Sequence, residues 1–256
     1  MSHILSARSR PMLERFAWSN VMLGFDYDGT LAPIVSDPAR AEMRESTRRL
    51  LEALARAYPC VVISGRARAD VERRVGGLGL REAIGNHGIE PWQASREIAD
   101  DVRRWRPRLE ERLRTHSGIW IEDKAYSLAI HYRRSRAKKA ARSAILGAIE
   151  SLGDVRVIGG KQVINVLPAD APHKGIALEH ARDRLRCDTA VYVGDDETDE
   201  DVFALDQPGR LLTIRVGRGR DSLAAYSLRN QGEIDALLEL FLALRPAPPH
   251  AQQVSG

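Results

Sequence analysis

Asp26 and Asp28 lie two residues apart at the end of the apolar run Leu23-Gly24-Phe25, and the chain then breaks at Gly29. This pattern predicts a buried strand that delivers two carboxylates, on one side, to the tip of a sheet. The same design recurs far downstream, where Val191-Tyr192-Val193-Gly194 leads into Asp195, Asp196, Glu197, Asp199, Glu200 and Asp201. Two carboxylate-bearing strand ends that meet can hold a hard cation. With oxygen donors and no Cys or His at ligand spacing, magnesium is expected rather than zinc. Taken singly, each cluster also reads as a turn of solvated acids; the pair, each following an apolar run, reads as a site.

The elements that would position these carboxylates alternate. Leu50, Leu51 and Leu54 predict a helix over 45–58, and Cys60-Val61-Val62-Ile63 predicts a short strand ending in Ser64-Gly65-Arg66. A helix over 67–75 and a short strand and turn over 83–88 follow. Downstream come a helix over 174–185, strands over 190–193 and 211–216, and a helix over 233–244. Strand and helix in alternation predict an α/β fold with a doubly wound, mostly parallel sheet. The middle differs. Residues 120–124 with 127–132, and 155–158 with 162–166 across Gly159-Gly160, read as two hairpins around a basic helix. A smaller α/β cap, or lid, is therefore expected over 89–167, inserted into a discontinuous core of 1–88 and 168–245. The proline-rich tail 246–256 reads as disordered.

The chain has 256 residues, 43% of them hydrophobic, and a net charge of +4. That is enough for a large core without disulfide staples. Cys60 and Cys187 sit beside apolar runs and read as reduced core residues. The opening Met1-Ser2-His3-Ile4-Leu5-Ser6 lacks the apolar stretch of a signal peptide, and no run reaches transmembrane length, so a soluble, cytoplasmic protein without a membrane partner is expected. Positive charge suits an anionic partner, nucleic acid or phosphorylated small molecule. The basic stretch 133–142 has no interleaved aromatics and reads as a solvated helix face, which argues against nucleic acid. A monomer is expected. His131 reads as a sheet residue, His173 as a cap or spacer, and Trp18, Trp92, Trp105 and Trp120 as packing anchors.

In order and setting, Asp26-Tyr27-Asp28-Gly29-Thr30-Leu31, Ser64-Gly65-Arg66, Lys174 and Gly194-Asp195-Asp196 resemble the four motifs of the haloacid dehalogenase superfamily of phosphatases. Within that superfamily the chain resembles the trehalose-6-phosphate phosphatases. The matching blocks are Gly85-Asn86-His87-Gly88, Glu122-Asp123-Lys124, Ser127 to Arg133, His173-Lys174-Gly175 and Gly194 to Glu200. One block departs: the family pattern after Gly160-Lys161 carries a glutamate and an arginine, where this chain has Asn165 and Leu167.

The resemblance implies a magnesium-dependent phosphoric monoester hydrolase acting on a phosphorylated disaccharide, trehalose 6-phosphate. Asp26 would attack phosphorus to form an aspartyl-phosphate, and Asp28 would act as general acid and then base. The metal would be held by Asp26, the Asp28 backbone carbonyl and Asp195, with Asp196 and Asp199 orienting ligands. Ser64, Thr30 and Lys174 would donate to phosphate oxygens; Ser64 also reads as a helix N-cap. Glu122, Lys124, Arg133, Lys161 and Asn165 in the lid would grip sugar hydroxyls, joined by Gly65, Arg66, Asn86, His87 and Gly88 from the core, with the lid closing about linkers near Gly88 and Pro168. Asn165 and Leu167 leave a validoxylamine phosphate or a glycosyl-phosphoglycerate as alternative substrates. A non-catalytic sugar-phosphate sensor is the alternative outside enzymes, disfavoured by the joint presence of Asp26 and Asp28.

Overall fold

The computed structural model describes residues 1–35, 37–160 and 162–245. The chain opens with β1 Ser2–His3, α1 Arg10–Ala17, β2 Val21–Phe25, α2 Glu45–Ala57, β3 Cys60–Ile63, α3 Arg68–Val75 and β4 Glu82–Ile84. Next come α4 Arg96–Leu113, β5 Trp120–Asp123, β6 Leu128–His131, α5 Lys138–Ile149, β7 Val155–Gly160 and β8 Val163–Pro168. It closes with α6 Lys174–Arg184, β9 Thr189–Gly194, α7 Glu200–Phe203, β10 Leu211–Val216, β11 Tyr226–Leu228 and α8 Ile234–Leu244.

The first and third groups build one parallel sheet in the order β1-β11-β10-β9-β2-β3-β4. Successive strand residues face opposite sides. Leu23, Phe25, Val62, Val191 and Val193 pack beneath Phe16 of α1, Leu54 of α2 and Phe241 of α8. Met22, Val61, Ile63, Ala190 and Tyr192 pack beneath Leu178 of α6 and Phe203 of α7. Both faces are covered, so the central strands read as unbroken apolar runs. The expected core is present, extended at one edge by β1 and β11, which are too short to register as periodic patterns.

The second group forms an antiparallel sheet, β5-β6-β8-β7. Leu128, Ile130, Ile164 and Val166 pack with Val102, Trp105 and Leu109 of α4 and Ile145 of α5. The alternate residues Glu122, His131, Val163 and Asn165 face a cavity instead. The second hairpin turns later than its glycines suggest. Gly159 and Gly160 remain in β7, paired with Ile164 and Val163, and Gln162 takes a left-handed φ of 67°. A tight hairpin loop needs positive φ, which Gln162 supplies. Lys161 and the tail 246–256 lie outside the described residues.

Cys60 and Cys187 are buried free thiols. No helix among the described residues is long and apolar enough to cross a membrane.

Candidate active site

β9, β2 and β3 are neighbours, and a cavity of about 700 Å³ opens at their C-terminal ends. In parallel α/β sheets this is where ligands bind. Phe25 pairs with Val193, and the Asp26 amide donates to the Val193 carbonyl at 2.9 Å. The register therefore places Asp26 beside the acidic loop that follows Gly194.

β2 ends at Phe25, earlier than the carboxylate spacing suggests. Residues 27–31 form a turn closed by the Gly29 amide on the Ala32 carbonyl at 2.7 Å. Asp26 and Asp28 still line one cavity, but with different neighbours. The Asp28 carboxylate accepts two bonds from Arg66, Nε to Oδ2 and Nη2 to Oδ1, both at 2.6 Å. Arg66 also donates to Asp70 at 2.6 Å. Asp26 is buried and accepts from Lys174 Nζ at 2.8 Å.

Lys174 begins α6, its helix start capped by His173 Nδ1, which accepts from the Gly175 and Ile176 amides. The Lys174 ammonium is buried between Asp26 and Asp199 Oδ1, the latter also at 2.8 Å. Burial acts to lower its pKa, but Asp199 and Asp26 outweigh that and hold it well above the ordinary lysine value. Burial pushes the Asp26 carboxyl well up, against the pull of Lys174 and with the help of Asp199 and Asp195. Burial, then Asp199 and Asp196, push Asp195 up to about 7.

Oxygens of Asp26, Asp195 and Asp199 lie within 4.8 Å of one another. Asp195 Oδ1 is buried without a partner, and raised carboxyl pKa values mark negative charge held at a cost. An all-oxygen, carboxylate-rich set of this kind fits a hard divalent cation. Asp199 has little left to offer it: Oδ1 accepts from Lys174 and from the Tyr192 hydroxyl at 2.7 Å, and Oδ2 from the Asp195 and Asp196 amides. Each oxygen is already doubly engaged, so Asp199 shapes the loop. Asp196 is exposed, and its Oδ1 caps the Glu197 amide at 2.7 Å. Asp26 and Asp195 remain as the carboxylates with free capacity. Two residues that sequence reasoning missed hold this loop: Tyr192, and Arg215, which donates to the Asp195 carbonyl at 2.7 Å.

Gly29 has φ +91°, and a Cβ there would overlap the Asp195 carboxylate. Gly29→Ala is expected to weaken divalent-ion affinity about tenfold or more by displacing that ligand. Calorimetric titration of the variant with metal checks this.

The other candidates divide by position. Ser64, Gly65, Arg66 and His87 line the cavity from the core; Glu122, Lys124, Arg133 and Asn165 line it from the smaller sheet. Ser64 is not a helix N-cap, since α3 is capped at Ala67; its Oγ accepts from the Arg66 amide at 3.2 Å. His87 is buried with neither ring nitrogen bonded, and burial holds its pKa well below the ordinary histidine value. Lys124 donates to the Gly65 carbonyl at 2.9 Å and to Asn165 Oδ1 at 3.4 Å, and burial lowers its pKa. Arg133 donates to the Val35 carbonyl at 3.0 Å.

Three candidates fall away from the cavity lining. Thr30 is fully buried with an unpartnered hydroxyl. Asn86 ties the two sheets, donating to the Lys124 carbonyl at 3.0 Å and accepting from Ser127 Oγ at 2.5 Å. Gly88, at φ +118°, packs against the His173 backbone. Leu167 is also remote, buried with Ile89, Ile158 and Ala171. Conversely, His131 and Trp120 do line the cavity. Their register opposite one another, on the face that also carries Glu122, is the signal that could have found them.

A family profile described as trehalose-phosphatase matches residues 24–210. The chain is 29% identical over 245 residues to probable trehalose-phosphate phosphatase D of Arabidopsis thaliana, covering 86% of this chain and 66% of that one. It is 36% identical over 196 residues to a trehalose-phosphate phosphatase of Mycolicibacterium paratuberculosis, covering 70% of this chain and 49% of the relative. It thus spans about two thirds of the plant relative's length and about half of the mycobacterial one's. Among solved structures, the C-terminal domain of a C. albicans trehalose-6-phosphate phosphatase superposes with a TM-score of 0.71 at 24% identity, over 92% of this chain and 96% of that one. That likeness speaks to fold.

Proposed function

The chain belongs to the trehalose-phosphatase family, and from that premise we propose that it is a phosphoric monoester hydrolase that converts trehalose 6-phosphate to trehalose and phosphate with magnesium as its ion. The observation that carries this reading is one cavity with two unlike walls. At its floor lie a buried carboxylate, a site suited to a divalent cation and a buried ammonium; at its roof are the polar groups Glu122, Lys124, Arg133 and Asn165. A phosphate ester needs charge neutralised and a nucleophile aligned, whereas a sugar needs hydrogen-bonding side chains.

In this reading Asp26 attacks phosphorus, with its Oδ1 fixed by Lys174. An aspartyl-phosphate forms and the sugar oxygen leaves, protonated by Asp28. Asp28 then takes a proton from the water that cleaves the intermediate. Arg66 holds both Asp28 oxygens, so one of the two bonds opens for each transfer. Asp26 and Asp195 would hold the divalent ion, which when bound would supply charge neutralisation to the transferring group. Ser64 and Lys174 donate to phosphate oxygens. The smaller sheet with α4 and α5 serves as the lid over 89–167, held to the core by Lys124 on Gly65, Arg133 on Val35, and Arg156 on Asp201 at 2.7 Å. A cytoplasmic monomer belongs to the same reading.

Phosphate release from trehalose 6-phosphate by purified protein tests it. Chelation of divalent ions is expected to lower turnover about 10³-fold, with recovery on adding magnesium. Release that is absent with magnesium present, or indifferent to chelation, would overturn the reading.

A further inference from the structure

Trp120, Ile34 and the other exposed large apolar residues are few, and these two share one cavity, Trp120 from the small sheet and Ile34 from the loop after β2. Trp120 lies flat on the His131 ring, with centroids 3.9 Å apart and planes 6° from parallel. His131 is in turn fixed by Glu122, Nε2 to Oε2 at 2.9 Å. The hydrogen bond to Glu122 sets the imidazole, and the imidazole sets the indole.

Trp120 is 42% exposed, whereas Asp26 on the core side of the same cavity is 4% exposed. His131 covers one face of the indole, so what remains open is the opposite face and the edge. A rigid aromatic face presented to the cavity offers apolar contact at low conformational cost. In the proposed reading the floor meets phosphate and the polar groups of the roof meet hydroxyls; neither has a use for an open indole.

We infer that Trp120, stiffened by stacking on His131, is a specificity-determining residue that packs against the C–H face of the sugar ring farther from the phosphate, with Ile34 closing the opposite side. This rests on the proposed reading, which requires a second ring outside the phosphate site. A ligand with one ring fills the floor and never reaches the platform.

The test is equilibrium binding of trehalose 6-phosphate and of glucose 6-phosphate in metal-free buffer, where no turnover intervenes. Wild-type protein is expected to prefer the disaccharide phosphate. Trp120→Ala should lose about tenfold affinity for it and less than twofold for glucose 6-phosphate, while Trp120→Phe keeps affinity within about threefold. The change in tryptophan emission on adding the disaccharide phosphate should vanish in Trp120→Phe, a signal that a merely structural role would not remove. Equal losses on both ligands, no loss on either, or no wild-type preference for the second ring would overturn the inference. A preserved preference without magnesium-dependent hydrolysis would sink the proposed reaction and leave the platform standing.

Discussion

Asp26→Asn is expected to lower phosphate release about 10³-fold or more and to abolish any phosphoryl group trapped on the protein by acid quench. The amide keeps the shape of the carboxylate and still accepts from Lys174, so the loss would be chemical. Stability should fall less than on removing Lys174, because the ammonium keeps its second partner, Asp199. Turnover within tenfold of wild type, or an unchanged phosphoryl adduct, would exclude Asp26 as the nucleophile. Asp28→Asn supplies the complement: the adduct should still form from a substrate with a good leaving group but drain slowly, since the base that activates water is gone.

Lys174→Met should be the most damaging single change to the metal-free fold. The ammonium sits between Asp26 and Asp199 with 2% of its side chain exposed, so its removal strands two buried carboxylates. Breaking a buried ion pair from one side costs about 3–5 kcal/mol, a large share of a domain's stability. Chemical denaturation measures it. Added divalent ion should stabilise this variant more than wild type, since the ion takes over neutralisation that Lys174 supplied. Activity should fall about 10²–10³-fold as well, from the lost contact to phosphate oxygens. A variant as stable as wild type without metal would show that the three groups are not coupled as the distances imply.

Much of this architecture was legible because burial on two faces leaves a plain mark. The runs before Asp26, Ser64 and Asp195 are apolar throughout, and each proved to be a central strand ending at the cavity. The small sheet was legible for the opposite reason: one face is packed and the other lines a cavity, so Leu128 and Ile130 alternate with Ala129 and His131. What escaped were features set by tertiary partners. Asp28 reads as a strand residue, but a turn closed by Gly29 and Ala32 hands it to Arg66. Thr30 reads as a donor to phosphate, but its backbone is drawn inward, its carbonyl accepting from Gln231 Nε2 at 3.1 Å. Trp120 reads as a packing anchor because an indole buries well; only the pairing of β5 with β6 shows it laid on His131 at an open edge.

The adjacency of β2 and β9 has a kinetic meaning. These strands touch along five register pairs, yet the whole of the small sheet and α6 is synthesised between them. Contacts between residues so distant along the chain form slowly, because a long loop must close first. A ribosome-bound fragment that ends before β9 therefore carries Asp26 on an unpaired strand edge, without its acidic counterpart. Such a fragment would lack the second half of the proposed site and would expose an apolar strand edge open to mispairing.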